Sequence, residues 1–281
     1  MSTAFFIRRF LLFIILAAPF ITAQSLYTYF NKSYEQIVNG SEIYTSLHKS
    51  KVKKKVKVLI IGDSVGEQLY DNHTYNDEIY SLTTNQAISL AGYYILLKKF
   101  TDINSDSLPE QVILILHPET FTNNLDQKFT FHYFLKPFYK QENKPLLTTK
   151  CLEQIHKIPF NALSQLPFIL NTNWAPDYQP GKDTTYRLIS PISNDYIIKI
   201  NKLCIQKHIA FKLYSPPVRS SSRNLIAKYS SGQNECIQCD LTPEFYDYFK
   251  NIQYFADTLF QDHIHFKKQY IPNDILRLKI K

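Results

Sequence analysis

The hydrophobic pattern of the chain changes period several times, and the changes predict strands alternating with helices. Lys55-Val56-Lys57-Val58-Leu59-Ile60-Ile61 ends in an apolar run bounded by Gly62, as expected of a short strand buried on both faces. A short helix follows over Val65 to Tyr70, then a second strand at Tyr80 to Thr84. From Ala87 the apolar positions Ala87, Leu90, Ala91, Tyr94, Ile95 and Leu97 take helical spacing, and Val112 to Leu116 reads as a third strand. A long aromatic- and proline-rich stretch runs from Phe121 to Pro191. Beyond it a helix is expected over Asp195 to His208, a strand over Ile209 to Tyr214, and a closing helix from Pro272, a residue suited to the first helical position. This alternation predicts an α/β fold, a three-layer α/β/α sandwich with a mostly parallel sheet.

The N-terminus follows a different pattern. Arg8 and Arg9 precede an almost unbroken apolar stretch from Phe10 to Ala23, the positive region and apolar core of a secretory signal. Continuation through Leu26, Tyr27, Tyr29 and Phe30 also fits an uncleaved signal anchor with tyrosines at the membrane interface. Residues 1–30 are therefore expected to be a signal peptide or N-terminal signal anchor, residues 31–54 a basic stalk, and residues 55–281 one exported domain. Without its leader the chain keeps about 250 residues, enough for one sizeable α/β core. Twenty tyrosines and twenty phenylalanines against six glycines exclude a disordered or low-complexity chain.

The net charge of +8 is concentrated in Lys49, Lys51, Lys53, Lys54, Lys55 and Lys57 and in the tail Arg277, Lys279 and Lys281. In an exported chain this reads as a solvated linker, or as a surface for anionic polysaccharide or lipid head groups, and no nucleic-acid partner is expected. Cys151, Cys204, Cys236 and Cys239 could form two disulfides of undetermined connectivity. Cys236-Ile237-Gln238-Cys239 has no second pair to complete a zinc site and reads as a loop staple or free thiols.

The candidate chemistry lies where the first strand ends. Gly62-Asp63-Ser64 turns the chain at the carboxyl end of that strand and leaves the Ser64 hydroxyl exposed near the start of the next helix, where α/β sheets place their sites. A serine hydroxyl needs a base oriented by a carboxylate, and Asp262-His263-Ile264-His265 supplies both. A plain strand-to-helix turn is the alternative, since all three turn residues are common turn formers. Gly62-Asp63-Ser64-Val65-Gly66 also spells the nucleophile elbow of α/β-hydrolases, but that reading needs several strands before the serine and a separate loop for the acid. His263 competes with His265, because in an extended loop both point the same way. A metal set of Asp262, His263 and His265 lacks a distant further ligand, so no metal is expected.

These blocks resemble the first and last signature blocks of the SGNH (GDSL) hydrolase superfamily, in particular its exported branch of polysaccharide acetyl esterases and O-acetyltransferases. The resemblance spans residues 55–281 and rests on Gly62-Asp63-Ser64 and on Asp262 and His265. It implies an SGNH-hydrolase-like, flavodoxin-like sandwich with an aromatic-rich insertion after the third strand. It also implies Ser64, Asp262 and His265 as catalytic residues and no cofactor. Family members complete an oxyanion hole with the serine N–H, a glycine N–H after the second strand and an asparagine after the third, within G-x-N-D. Here the second strand is followed by Asn85-Gln86-Ala87-Ile88-Ser89-Leu90-Ala91-Gly92, and the third by His117-Pro118-Glu119-Thr120-Phe121-Thr122-Asn123-Asn124 without G-x-N-D. Gly92 and Asn123 are the expected oxyanion positions, with Asn124 as an alternative. The implied function is a serine esterase acting on O-acyl (acetyl) groups of cell-surface polysaccharide in the periplasm or at the cell surface. An O-acetyltransferase with a membrane acyl-donor partner, or a non-catalytic glycan-binding protein, are the other readings. Tyr133, Phe134, Phe138, Tyr139, Trp174 and Tyr178 could form a sugar-stacking platform, or simply pack as a lid.

Overall fold

A computed structural model of the chain describes residues 3–30, 38–71, 78–170, 172–178, 189–230, 243–267 and 269. Its centre is a four-stranded parallel sheet in the order β2-β1-β3-β4, formed by β1 (Val58–Gly62), β2 (Ile79–Thr83), β3 (Gln111–Ile115) and β4 (Ala210–Tyr214). The expected α/β class and the expected strands are present, each within about one residue of its sequence-based position. The register pairs Gly62 with Thr83 on one side and with Ile115 on the other, so three strands end level with one another.

Alternation along β1 divides the core. Leu59 and Ile61 point into the larger cluster with Leu82, Val112 and Leu114, while Val58 and Ile60 point to the opposite face with Ile113, Ile115, Leu69 and Tyr70. Strands buried on both faces read as continuous apolar runs, which is why β1 lacks a polar alternation. α4 (Ser89–Ile103) and the helix Pro191–Gln206 cover the first face, and α3 (Ser64–Leu69) lies towards the second. The helix Pro191–Gln206 starts four residues before its expected position because Ser190 caps it, accepting the Ser193 N–H at 3.0 Å, with Pro191 in the first turn.

α1 (Thr3–Phe30) is apolar and exposed, and its 25-residue span Thr3–Tyr27 is long and apolar enough to cross a membrane. Of the basic stalk expected over residues 31–54, the described part, residues 38–54, requires correction. From Ser41 to Lys49 the chain forms a helix, α2, whose Ile43 and Tyr44 are buried and whose Ser46 hydroxyl donates to the Thr83 carbonyl at 2.7 Å. Lysine density hid its apolar spacing: Ile43, Tyr44 and Leu47 share one face of the helix. The lysine run stays exposed at Lys51, Lys53, Lys55 and Lys57, as expected of a solvated segment, while making contacts with the domain. Lys49 lies 4.5 Å from the Tyr80 ring centroid, Lys53 pairs with Asp106 at 2.6 Å, and Lys57 pairs with Glu78 at 2.6 Å.

Part of the aromatic insertion packs as core. Phe134 and Phe138 are fully buried and stack on each other at 5.7 Å, and Tyr139 is buried beside them, so these three do not offer a sugar-binding face. Trp174 stays exposed with its edge against Phe131, and Tyr133 and Tyr178 are partly exposed. Cys151 and Cys204 are both buried free thiols, pushed up to about 12 by burial, so neither takes part in a disulfide. Cys236, Cys239 and the helix expected from Pro272 lie outside the described residues.

Gly62 is where the sheet tolerates no side chain. A Cβ there would come within 2.4 Å of the Ile115 carbonyl oxygen, whereas one at Gly66 would stand 3.0 Å from the same atom. Gly62→Ala is expected to force β1 away from β3 and to destabilise the protein by about 3 kcal/mol or more, with Gly66→Ala milder. Urea unfolding of the two variants checks this order, and a Gly62→Ala protein as stable as the wild type would contradict it.

Candidate active site

Asp63 organises the turn after β1. Its carboxylate is fully buried and accepts from the N–H groups of Val65 (3.0 Å) and Gly66 (3.2 Å) at the start of α3. Its other oxygen accepts from the His117 N–H and the Thr120 hydroxyl, both at 2.6 Å, just beyond β3. One side chain thus caps a helix and ties two strand ends together. Burial pushes the Asp63 carboxyl above its ordinary range, against the pull of these four hydrogen bonds. Because Val65 and Gly66 are taken by the cap, the Ser64 N–H is the helix-start donor left over among the described residues.

The partners of Ser64 come from the chain's far end. Phe260 and Phe266 form an isolated antiparallel bridge, and Gln261 N–H donates to the His265 carbonyl at 2.9 Å, closing the loop between them. Phe266 is buried against Phe255 and Phe260, and its carbonyl accepts from Gln68 Nε2 of α3 at 3.2 Å, which anchors the loop beside Ser64. Within the loop Asp262 Oδ1 accepts the N–H groups of Ile264 (2.9 Å) and His265 (2.7 Å). This tight turn is the physical reason for the three-residue spacing, since it swings the His265 ring back over the same carboxylate. His265 Nδ1 meets Asp262 Oδ2 at 2.7 Å, and His265 Nε2 meets the Ser64 Oγ at 3.0 Å.

The tautomer follows from the network. A carboxylate beside Nδ1 requires Nδ1–H, which leaves Nε2 to accept the serine proton. Partial burial works to raise the Asp262 carboxyl, but the hydrogen bonds from the His265 and Ile264 N–H groups and the His265 ring outweigh it and hold it at about 2. The carboxylate is therefore charged at any ordinary pH, positioned to orient the imidazole and to stabilise it when protonated. His263, the competing histidine, faces elsewhere: its Nε2 lies 3.7 Å from Glu119 Oε2. The turn at Asp262 breaks the extended geometry in which the two rings would have pointed the same way. Among the described residues no group of three or more His, Cys, Asp or Glu side chains is arranged to hold a metal ion.

The two expected oxyanion residues have other tasks in the fold. Gly92 lies in α4, where a Cβ would come within 2.8 Å of Ile88 Cβ, so its small size serves helix packing. Asn123 accepts the Leu125 N–H at its Oδ1 (2.8 Å), and its carbonyl accepts the hydroxyls of Ser89, Ser190 and Ser193. It joins the loop after β3 to two helices. Asn124, the alternative, accepts the Ile192 N–H. Two residues not picked out from the sequence follow the neighbouring strand ends at the level of Ser64. Continuing the register by two positions sets Asn85 on the β2 side and His117 on the β3 side, and the latter is tied to Asp63. The signal that finds them is the level ending of the strands, not a motif.

Comparison with known proteins returned no matching family model and no significantly similar curated protein or solved structure.

His117 is 2% exposed, and burial first, then the neighbouring His263 and His265, pull its imidazole down to about 3. The unfolded chain binds a proton at this residue below about pH 6.5 that the native protein refuses, so stability falls as the pH drops from there towards about 3. His132, pulled down to about 4 by burial, adds to the same slope. Urea unfolding between about pH 7 and about pH 5 should show this loss. His117→Asn, which keeps a capping side chain, should flatten the slope by up to about 1.4 kcal/mol per pH unit. An unchanged slope in that variant would contradict the burial of a neutral His117.

Proposed function

We propose that the chain is an SGNH-type serine esterase or acyltransferase that works through an acyl-serine intermediate. The observation that carries this reading is the continuous hydrogen-bonded relay from Ser64 Oγ through His265 to Asp262, built from opposite ends of the chain. A helix cap and a packed hairpin loop hold it in place, which supports a role beyond a turn.

In the proposed reaction His265 Nε2 takes the Ser64 proton as Oγ attacks an ester carbonyl. The oxyanion that forms collapses, His265 returns the proton to the departing alkoxide, and the acyl group remains on Ser64. Water, activated by the same imidazole, then releases the acid and regenerates the serine. If a sugar hydroxyl replaces water, the outcome is transfer. The apolar helix Thr3–Tyr27 favours an exported, membrane-proximal domain, and with it an O-acylated polysaccharide of the periplasm or cell surface as the substrate. The same helix is the specific reason to keep the transfer reading, since it would hold the domain beside a membrane acyl donor.

Incubation of the detergent-solubilised full chain with a fluorophosphonate probe tests the reading. The wild type is expected to label at Ser64, and Ser64→Ala and His265→Ala to remain unlabelled. A folded wild type that resists the probe would favour a glycan-binding protein instead. Asp262→Asn keeps the turn's size but leaves the imidazole in the wrong tautomer, so hydrolysis of 4-nitrophenyl acetate should fall by about a thousandfold to ten-thousandfold. A loss of less than tenfold would remove Asp262 from the mechanism.

A further inference from the structure

We infer that Asn85 and His117, the two residues flanking Ser64 in the sheet register, supply the side-chain donors of the oxyanion hole, Asn85 through Nδ2 and His117 through Nε2. This rests on the acyl-serine reading above and assigns the part of the site that the missing G-x-N-D left open.

Position comes first. The Thr84 N–H donates to the Gly62 carbonyl at 2.8 Å, which carries the β2 side one residue past the strand and sets Asn85 level with Ser64. On the other side the Asp63 N–H donates to the Ile115 carbonyl at 3.2 Å and the His117 N–H donates back to Asp63, which fixes His117 level with the same serine. Parallel sheets present their chemistry at this carboxyl edge.

Donor identity comes second, and the hydrogen bonds decide it for both residues. The Ala87 N–H donates to the Asn85 side chain at 3.0 Å, so that atom must be Oδ1 and the amide nitrogen is the one left over. Its position is further held by the Tyr93 hydroxyl, which donates to the Asn85 carbonyl at 3.1 Å. The Glu119 N–H donates to His117 Nδ1 at 3.3 Å, so the neutral ring carries its proton on Nε2. Among the described residues no acceptor takes either the Asn85 Nδ2 or the His117 Nε2 hydrogen.

Charge state comes third. Burial keeps His117 neutral throughout the working pH range, and the adjacent imidazoles of His263 and His265 act in the same direction. A neutral imidazole donates one hydrogen bond without placing a second cation beside the His265 ring when that ring becomes protonated. Glu119 and Asp262 are the carboxylates nearby; Asp262 is committed to His265, and Glu119 contributes its backbone to His117 and its carboxylate to His263. The Ser64 N–H, left over by the Asp63 cap, would be the third donor.

The test compares wild type, His117→Leu, His117→Gln, Asn85→Leu and Asn85→Asp as full-length chains, with 4-nitrophenyl acetate as the probe substrate and urea unfolding to establish folding. Loss of one oxyanion donor should lower kcat by about a hundred- to a thousandfold with KM little changed. His117→Gln, which retains an N–H donor, should recover at least about tenfold of that loss. Asn85→Asp, nearly isosteric but without a donor, should be as impaired as Asn85→Leu. Folded His117→Leu and Asn85→Leu proteins within about threefold of wild-type kcat would overturn the inference alone. A folded wild type that neither hydrolyses the probe nor labels with a fluorophosphonate would overturn the underlying reading, and this inference with it. Should the leucine variants fail to fold, nitrogen-15 spectra of the wild-type histidines decide for His117: a proton on Nδ1, or titration near the ordinary histidine value, overturns its role.

Discussion

The arrangement around Ser64 depends on one buried carboxylate. Asp63 makes four hydrogen bonds, two to the first turn of α3 and two to the segment leaving β3, and it does so where burial alone would disfavour its charge. Each donor it satisfies would otherwise be a buried polar group without a partner, at about 1–3 kcal/mol apiece. The same contacts cap α3 and tie the His117 backbone, just beyond β3, to the Asp63 turn. The close approach of β1 and β3 that Gly62 permits makes this clamp geometrically attainable.

Around this clamp the chain is joined end to end. The serine follows the first strand of the sheet, and its partners follow β6 (Tyr254–Phe255), which pairs in parallel with β5 (Val218–Arg219). Arg219 adds an ion pair to Asp257 at 2.8 Å that fixes the approach to the histidine loop, and the Phe255, Phe260 and Phe266 rings pack edge to face beneath it. Apolar packing thus positions the Asp262 turn, and the turn positions the imidazole. The relay is stiff because the packing, the hydrogen-bonded turn and the carboxylate constrain the same few residues.

The strands and the two halves of the relay, Gly62-Asp63-Ser64 and Asp262 with His265, were legible in the sequence because each is encoded locally. A doubly buried strand is a run of apolar residues, and a turn whose Asp both caps the backbone and orients a ring needs its His three positions on. α2 was not legible, since its short apolar face is embedded among lysines and becomes visible only once Ile43 is seen packed in the core. The two residues level with Ser64 at the sheet edge were not legible either. Gly92 and Asn123 matched by residue type, yet side-chain type does not reveal whether a glycine is serving a helix contact or an asparagine a loop junction. Asn85 and His117 are defined by register, a long-range property of three strands ending level. Likewise composition leaves the aromatic insertion open between a platform and a packed lid, and the burial of Phe134, Phe138 and Tyr139 assigns those three to the core.

The central claim is that Ser64 is an activated nucleophile, and trapping its acyl form tests this most directly. The full-length protein would be mixed with 4-nitrophenyl acetate, quenched in acid within the first turnover, digested and analysed by mass spectrometry. The account predicts one acetyl group on the peptide carrying Ser64, absent from His265→Ala. A folded protein whose Ser64 peptide remains unmodified while 4-nitrophenol is released, or whose acetyl group sits elsewhere, would contradict it.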